Sequence, residues 1–232
     1  MANAADFISF RQTKPEEVDI FVDFLERAAL WMEANNLNQW TPGSFVAPKT
    51  RAHIEHTVAL GNAYFIVDNN PTRTLSATAA NTNNAIATPT LVTPPLSPLP
   101  SPLPEQQQPE ATIIGTLTLN YSDPFDEMLW KDLVDDWTDA VYLHRLFIER
   151  EYRGCGLGPK ALMFAEQEGL KRGKHYLRLD CMADNKLLKA YYREKAHFQE
   201  FDDYAGERLF GRFERPITST LPVVEAQVEA KQ

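Results

Sequence analysis

The chain has 232 residues, 44% hydrophobic and 24% charged, which suits one full domain with a real core. Asp plus Glu number 32 against 23 Lys plus Arg, a net charge of −9. That balance argues against sequence-independent nucleic-acid or anionic-membrane binding, which need excess positive charge, and is compatible with cationic substrates such as amines.

Phe7 to Gln12 reads as a strand. Thr13-Lys14-Pro15-Glu16-Glu17 opens a helix with proline and acids in its first turn, running to about Asn35. Val18, Phe21, Val22, Leu25, Ala28, Ala29 and Met32 recur along it at the spacing of one apolar face. The loop Gln39-Trp40-Thr41-Pro42-Gly43 precedes a second helix, near Lys49 to Leu60, and the strand Ala63 to Val67. Residues 69–111 are rich in Pro, Thr, Ser, Asn, Ala and Gln, and Pro94 to Pro104 favours polyproline II. Such a segment buries too little to repay its ordering entropy, so it reads as a disordered insertion at a hairpin tip. It could offer a proline motif to an SH3-like partner; a spacer is the simpler reading. One domain over 1–215, interrupted by the insertion, and a flexible tail over 216–232 complete the organisation.

The strand resumes with Thr112 to Leu119, followed by a loop holding Trp130 and Trp137. Next come the strand Val141 to Ile148, a glycine-rich turn, and a helix from Pro159 to Arg172. The strand Tyr176 to Cys181, a helix from Asn185 to Ala196, and strands over Phe198–Tyr204 and Arg208–Glu214 close the fold. The order is β-α-α-β-β-β-α-β-α-β-β. The two cysteines, Cys155 and Cys181, have no metal-type spacing and are too few for a disulfide framework, which points to a reducing compartment and no metal. Without a signal-like N-terminus or an apolar run near the ~20 residues that span a bilayer, a cytoplasmic protein with no membrane partner is expected.

The turn Arg153-Gly154-Cys155-Gly156-Leu157-Gly158 carries the chemistry. Its glycines let backbone approach a ligand, Pro159 suits the first helical turn, and the free amides with the helix dipole form an anion site beside Arg153. A P-loop is excluded, because the glycine separation is wrong and Ala161 follows Lys160. A dinucleotide fold competes: Asp180 lies at the end of the next strand, at about the ~20-residue distance of a ribose ligand. Against it, Pro159 occupies the third small position, and only α-β-β follows Asp180.

Arg153-x-x-Gly156-x-Gly158 resembles the R/Q-x-x-G-x-G/A signature of the GNAT acetyltransferase superfamily. "YLHRLFIEREYRGCGLGPKAL" has that superfamily's strand, loop and helix, and "YLRLDCMADNKLLKAYYREKAHF" resembles its next conserved region, with Asn185 and Tyr192 seven residues apart. Two departures stand out: His197 occupies a position usually held by Gly, and one extra residue separates Tyr192 from Phe198.

The resemblance implies an α/β fold with a central, mostly antiparallel sheet, a splayed parallel strand pair and flanking helices. It implies an N-acetyltransferase that uses acetyl-CoA as co-substrate. The backbone of Leu146, Phe147 and Ile148 would hold the pantetheine arm, and Gly154, Cys155, Gly156, Leu157 and Gly158 the pyrophosphate, with Arg153 and Asn185 nearby. A primary amine of a small molecule or peptide would attack the thioester directly in a ternary complex. A non-catalytic acyl-CoA-binding sensor is the rival reading.

Tyr192 is the acid by family position, with Tyr191 as alternative; both also read as packing aromatics. His144 is the candidate base. Strict alternation puts Tyr142, His144, Leu146 and Ile148 on one face. His144 reads equally as a half-buried histidine bonded to backbone, and a water chain is the other route for the proton. His53 and His56 look like solvated helix positions and His175 structural. Asn185 reads as a helix cap as well as a coenzyme contact. The family's acceptor site implies Gln39, Trp40 and Phe45 on one side and Asp202, Asp203 and Tyr204 on the other. Ordinary loop packing and a solvated acidic turn explain those residues equally well. The resemblance also implies that the final hairpin can pair two copies into a homodimer.

Overall fold

A computed structural model describes residues 4–70 and 111–218. Its elements are β1 (Ile8–Gln12), α1 (Val18–Ala34), α2 (Pro48–Ala59), β2 (Ala63–Asp68), β3 (Thr112–Asn120), α3 (Pro124–Trp130), β4 (Ala140–Ile148), α4 (Leu157–Lys171), β5 (Tyr176–Met182), α5 (Lys186–Ala190), β6 (Gln199–Ala205) and β7 (Leu209–Pro216). The seven strands form one sheet in the order β1-β2-β3-β4-β5-β7-β6. Only β4 and β5 run parallel; every other pair is antiparallel. The α/β fold with a mixed sheet is therefore as expected. The dinucleotide alternative fails here, since a single parallel pair cannot supply a doubly wound half.

β2 and β3 form the expected hairpin, with Asp68 opposite Thr112. Of the predicted disordered insertion 69–111, residues 71–110 lie outside the described residues, as do 219–232 of the predicted tail, whereas Asn69 still pairs with Phe7, its amide donating to the Phe7 carbonyl at 2.9 Å. The tail boundary shifts in part. β7 reaches Pro216, and the Ile217 amide donates to the His175 carbonyl at 2.7 Å. Ile217 also packs against the core, so the chain leaves the fold later than composition implies.

One face of the sheet is covered by α4. Leu157, Ala161, Leu162 and Ala165 meet Tyr64, Ile66, Leu117, Leu119, Val141, Leu143, Leu177 and Leu179. The other face carries α1 and α2, whose Phe21, Leu25, Ile54 and Val58 pack on Phe65 and Val67. Further along that second face, Trp130 of α3 packs on Tyr142.

α3 falls where a loop is predicted. Asp123 caps it, accepting from the Phe125 amide at 2.8 Å, and Pro124 occupies the first turn. Two buried arginines hold the segment down. Arg178, 2% exposed, bonds Glu214 at 2.7 Å, the Trp137 carbonyl at 3.2 Å and the Tyr142 hydroxyl at 2.9 Å. Arg212 bonds the Leu129 carbonyl at 2.7 Å and Asp132 at 2.9 Å. A buried guanidinium needs hydrogen-bond partners, and these come from the end of α3, the loop after it and the neighbouring strands.

Candidate active site

The β4–β5 pairing is short. It runs from Ala140 opposite Tyr176 to Tyr142 opposite Arg178, although the strands continue to Ile148 and Met182. Past Tyr142 they part, and the β4 edge facing β5 has no strand partner among the described residues. Its other edge is bonded to β3, with Gly115 opposite Ile148 and Thr116 opposite Phe147. Leu146, Phe147 and Ile148 thus present one open backbone edge, as an extended ligand arm requires.

A bulge corrects the expected facing of β4. The register with β3 shifts between Thr116 and Thr118, and Arg145 sits at φ 51. The Thr116 hydroxyl donates to the Arg145 carbonyl at 3.1 Å, bracing the kink. A bulge adds one residue and reverses the alternation beyond it. Leu146 and Ile148 therefore pack on the α4 side with Leu143, while Phe147 joins the α1 side. His144 keeps the second face but does not share it with Leu146 and Ile148.

The glycine turn follows. Gly154 and Gly156 adopt φ 80 and 74, and a Cβ at either would meet nothing within 4 Å. They are needed for their left-handed backbone, and the space beside them is open. α4 begins at Leu157, and its first-turn amides have no acceptor within the helix. Within the turn the Arg153 amide donates to the Arg150 carbonyl at 2.9 Å and the Cys155 amide to the Tyr152 carbonyl at 3.2 Å. The Cys155 thiol belongs to a half-buried residue packed against the core, and Arg153 is exposed.

His144 stands in the gap with two carboxylates. Its Nε2 lies 2.7 Å from Oδ1 of Asp126 on α3, and its Nδ1 lies 3.4 Å from Oδ1 of Asp180 on β5. Burial alone would lower the imidazole's pKa. Asp126, by charge and hydrogen bond, and then Asp180 reverse this, and the pKa stands raised. Burial pushes Asp180 up to about 6 against the pull of His144. Phe125 meets the His144 ring at 5.9 Å between centroids and Phe210 of β7 at 5.6 Å. His53 of α2, expected to be solvated, is half-buried with Nε2 3.6 Å from Asp123. Burial lowers its pKa, and Arg145 lowers it further. His175 bonds Asp139 at 2.6 Å away from the gap, a structural position as expected.

Tyr192 is buried, its ring against Tyr191, Phe198 and Phe213. Burial pushes its phenol well up, so it stays protonated. The extra residue before Phe198 is absorbed by a π-helical turn, Tyr191–Lys195, in which the Ala196 amide bonds the Tyr191 carbonyl. His197 then takes φ 57, which explains the glycine usual at that position. Tyr191 points its hydroxyl at the start of α4, 2.9 Å from where a Gly158 Cβ would stand. Asn185 caps α5, accepting from the Leu188 amide at 3.2 Å, while its Nδ2 approaches Gln39 Oε1 at 3.4 Å.

Of the predicted acceptor side, Gln39 reaches the end of β5, accepting from the Met182 amide at 3.1 Å. Trp40 and Phe45 stack edge-on over the α1 core. Asp203 is occupied by Lys189 at 2.9 Å, beside Glu200 at 2.9 Å. The last hairpin meets the gap through Phe210. Asp126 and His53 are polar residues brought to the gap that the spacing rules do not single out, and Asp180, singled out for a ribose, faces His144 instead. The Asp123-Pro124 pair is a local signal for α3, but nothing local connects Asp126 to His144. No group of His, Cys, Asp or Glu among the described residues could hold a metal ion.

Residues 105–198 match the model of the acetyltransferase (GNAT) family. Over that stretch the chain is similar to the GNAT acetyltransferases. The uncharacterized N-acetyltransferase YesJ of Bacillus subtilis (strain 168) is 37% identical over 95 residues, 41% of this chain, and the chain spans half the length of that relative. The fold is that of solved GNAT proteins. A GNAT-family acetyltransferase of Listeria monocytogenes superposes with a TM-score of 0.58 at 20% identity, over 90% of this chain and 94% of that one. The Salmonella typhimurium protein yncA, crystallised with its cofactor acetyl-CoA, gives 0.51 at 12% identity, over 92% and 96%. The glycine turn, the open β4 edge and His144 itself lie on consecutive stretches of one strand–loop–helix unit, to which α3 and β5 bring Asp126 and Asp180. No helix among the described residues is long and apolar enough to cross a membrane.

Proposed function

We propose that the protein is an N-acetyltransferase that moves the acetyl group of acetyl-CoA to a primary amine of a small molecule or peptide. The observation that carries this is the gap between β4 and β5, with an open backbone edge, an amide-lined turn at one end and an imidazole held by two carboxylates inside it. The turn amides and Arg153 hold the pyrophosphate, and Leu146 to Ile148 hold the pantetheine arm. An ammonium has no lone pair, so acceptor chemistry requires a base. His144 donates Nε2–H to Asp126 and keeps Nδ1 free to take the proton. The amine lone pair then bonds the thioester carbon, the C–S bond breaks, and sulfur keeps the electron pair. Tyr192, held protonated, donates a hydrogen bond to the leaving sulfur. An acetyl-CoA-bound yncA and the N-acetyltransferase name of YesJ support the reading.

Calorimetry with coenzyme A and acetyl-CoA tests the first half, and thiol release from acetyl-CoA with a panel of amines and polyamines the second. Substituting His144→Ala should lower kcat by about 10²- to 10⁴-fold, with Tyr192→Phe also impaired, while both still bind coenzyme A. Binding without amine-dependent thiol release in the wild-type protein would establish the sensor reading instead.

A further inference from the structure

Among the described residues, Arg145 differs from every other arginine that is not exposed. Arg11, Arg51, Arg178, Arg212 and Arg215 each bond a carboxylate, at 2.6 to 2.9 Å. The half-buried guanidinium of Arg145 has no hydrogen bond and no ion pair among the described residues. Burial weighs on it all the same, pushing its pKa down to about 10 against the pull of Asp123 and Asp126. A guanidinium has five N–H donors, and leaving them idle in a partly closed cleft is unfavourable.

The chain also strains its backbone to place this side chain. Arg145 sits in the β4 bulge at φ 51, a conformation that suits Gly or Asn better than Arg. A bulge re-aims a side chain, and backbone outliers of this kind persist where function needs them. The charge of Arg145 acts on His53 of α2 and on His144, and it feels Asp123 and Asp126, all on the second face of the sheet. Neither aspartate closes on it. Asp123 caps α3 through the Phe125 amide and faces His53, and Asp126 holds His144. The second oxygen of Asp126 is buried without a partner, so Arg145 does not bond that one either. An idle cation therefore lies beside the candidate base, on the acceptor side of the gap.

Resting on the acetyltransferase reading and narrowing its acceptor, we propose that Arg145 binds a carboxylate of the acceptor, so that the protein acetylates amino acids in preference to plain amines. The planar fork of a guanidinium matches the two oxygens of a carboxylate. As sequence neighbours, His144 and Arg145 have Cα atoms about 3.8 Å apart. The nitrogen that His144 serves and the carboxylate that Arg145 holds thus belong to one small molecule, with few bonds between them.

The test takes a panel of α-amino acids, β-alanine and γ-aminobutyrate, each with its own carboxamide, and measures thiol release from acetyl-CoA. In the wild-type protein the best acid should exceed its carboxamide about 10- to 100-fold in kcat/KM, the worth of hydrogen bonds to a charged group. Arg145→Gln should bring that ratio to about one. Arg145→Lys, which keeps the charge without the fork, should restore part of it. Coenzyme A binding in calorimetry checks that each variant folds. A second measurement needs no variant: propionate should inhibit the wild-type protein against that amino acid at least about tenfold more strongly than propionamide. Carboxamides that match their acids in the wild-type protein, or equal inhibition by propionate and propionamide, overturn the proposal while acetyl transfer stands. So do losses in Arg145→Gln that fall equally on acid and carboxamide, which would mean that Arg145 only balances Asp123 and Asp126. A wild-type protein that binds acetyl-CoA yet releases no thiol with any amine overturns both readings.

Discussion

Asp180 is the residue where fold stability and chemistry conflict. Its folded pKa, pushed up to about 6 by burial, lies above the ~3.9 of an unfolded carboxyl, so the ionised form weakens the folded state. That penalty appears as pH rises from about 4 and is complete above about 6. Asp180→Asn should therefore raise Tm by several degrees at pH 7, on the order of 3 kcal/mol, with the gain vanishing near pH 4. Thermal melts at the two pH values check this, and a lower Tm at pH 7 refutes it. His144 has the opposite dependence. Its raised pKa contributes stability at low pH that is lost as pH climbs through the folded value. Asp126→Asn removes the carboxylate that does most to hold that pKa up, so the rising limb of kcat/KM should move to lower pH as the rate falls. A limb that stays in place would mean that Asp126 does not face the working base.

At the scale of elements, two strained turns frame the site. The π turn and the left-handed His197 belong together: one extra residue shifts the helix end, and φ 57 returns the chain to β6. His197→Gly relieves a strain of about 1 kcal/mol and should raise Tm by about 2–4 °C without changing turnover. The β4 bulge depends on Gly115, where a Cβ would lie 2.3 Å from the Phe147 carbonyl oxygen. Gly115→Ala should cost on the order of 1–3 kcal/mol and weaken coenzyme A binding, because it forces apart the strands that hold the open edge. The glycine turn offers a chemical test. Alkylating Cys155 should block coenzyme A binding in calorimetry, and full binding after complete modification would place the anion elsewhere.

The whole molecule is a sheet with a defect at its middle, braced from both ends. Arg178 and Arg212 tie α3 to β5 and β7, and through it carry Asp126 to His144. Arg178→Met strands Glu214 and should cost about 3–5 kcal/mol, seen as a Tm loss far larger than that of an exposed ion-pair variant. Because Asp68 and Thr112 pair across the β2–β3 hairpin, replacing residues 71–110 with a short glycine turn should leave coenzyme A affinity within about twofold.

Period, caps and glycine placement are local properties. From them the sequence alone determined the strands and long helices, the hairpin, the strand–turn–helix unit with its glycine turn, and, through the Arg153 and Asn185–Tyr192 spacings, the family resemblance. Tertiary structure alone decided the rest. The bulge at Arg145 depends on pairing with β3, so simple alternation misassigns Leu146 and Ile148. Asp126, His144 and Asp180 come from three elements, and only the splay of β4 from β5 brings them together. Their charges interact through a buried gap whose low polarity comes from the packed fold, and no spacing rule along the chain encodes that.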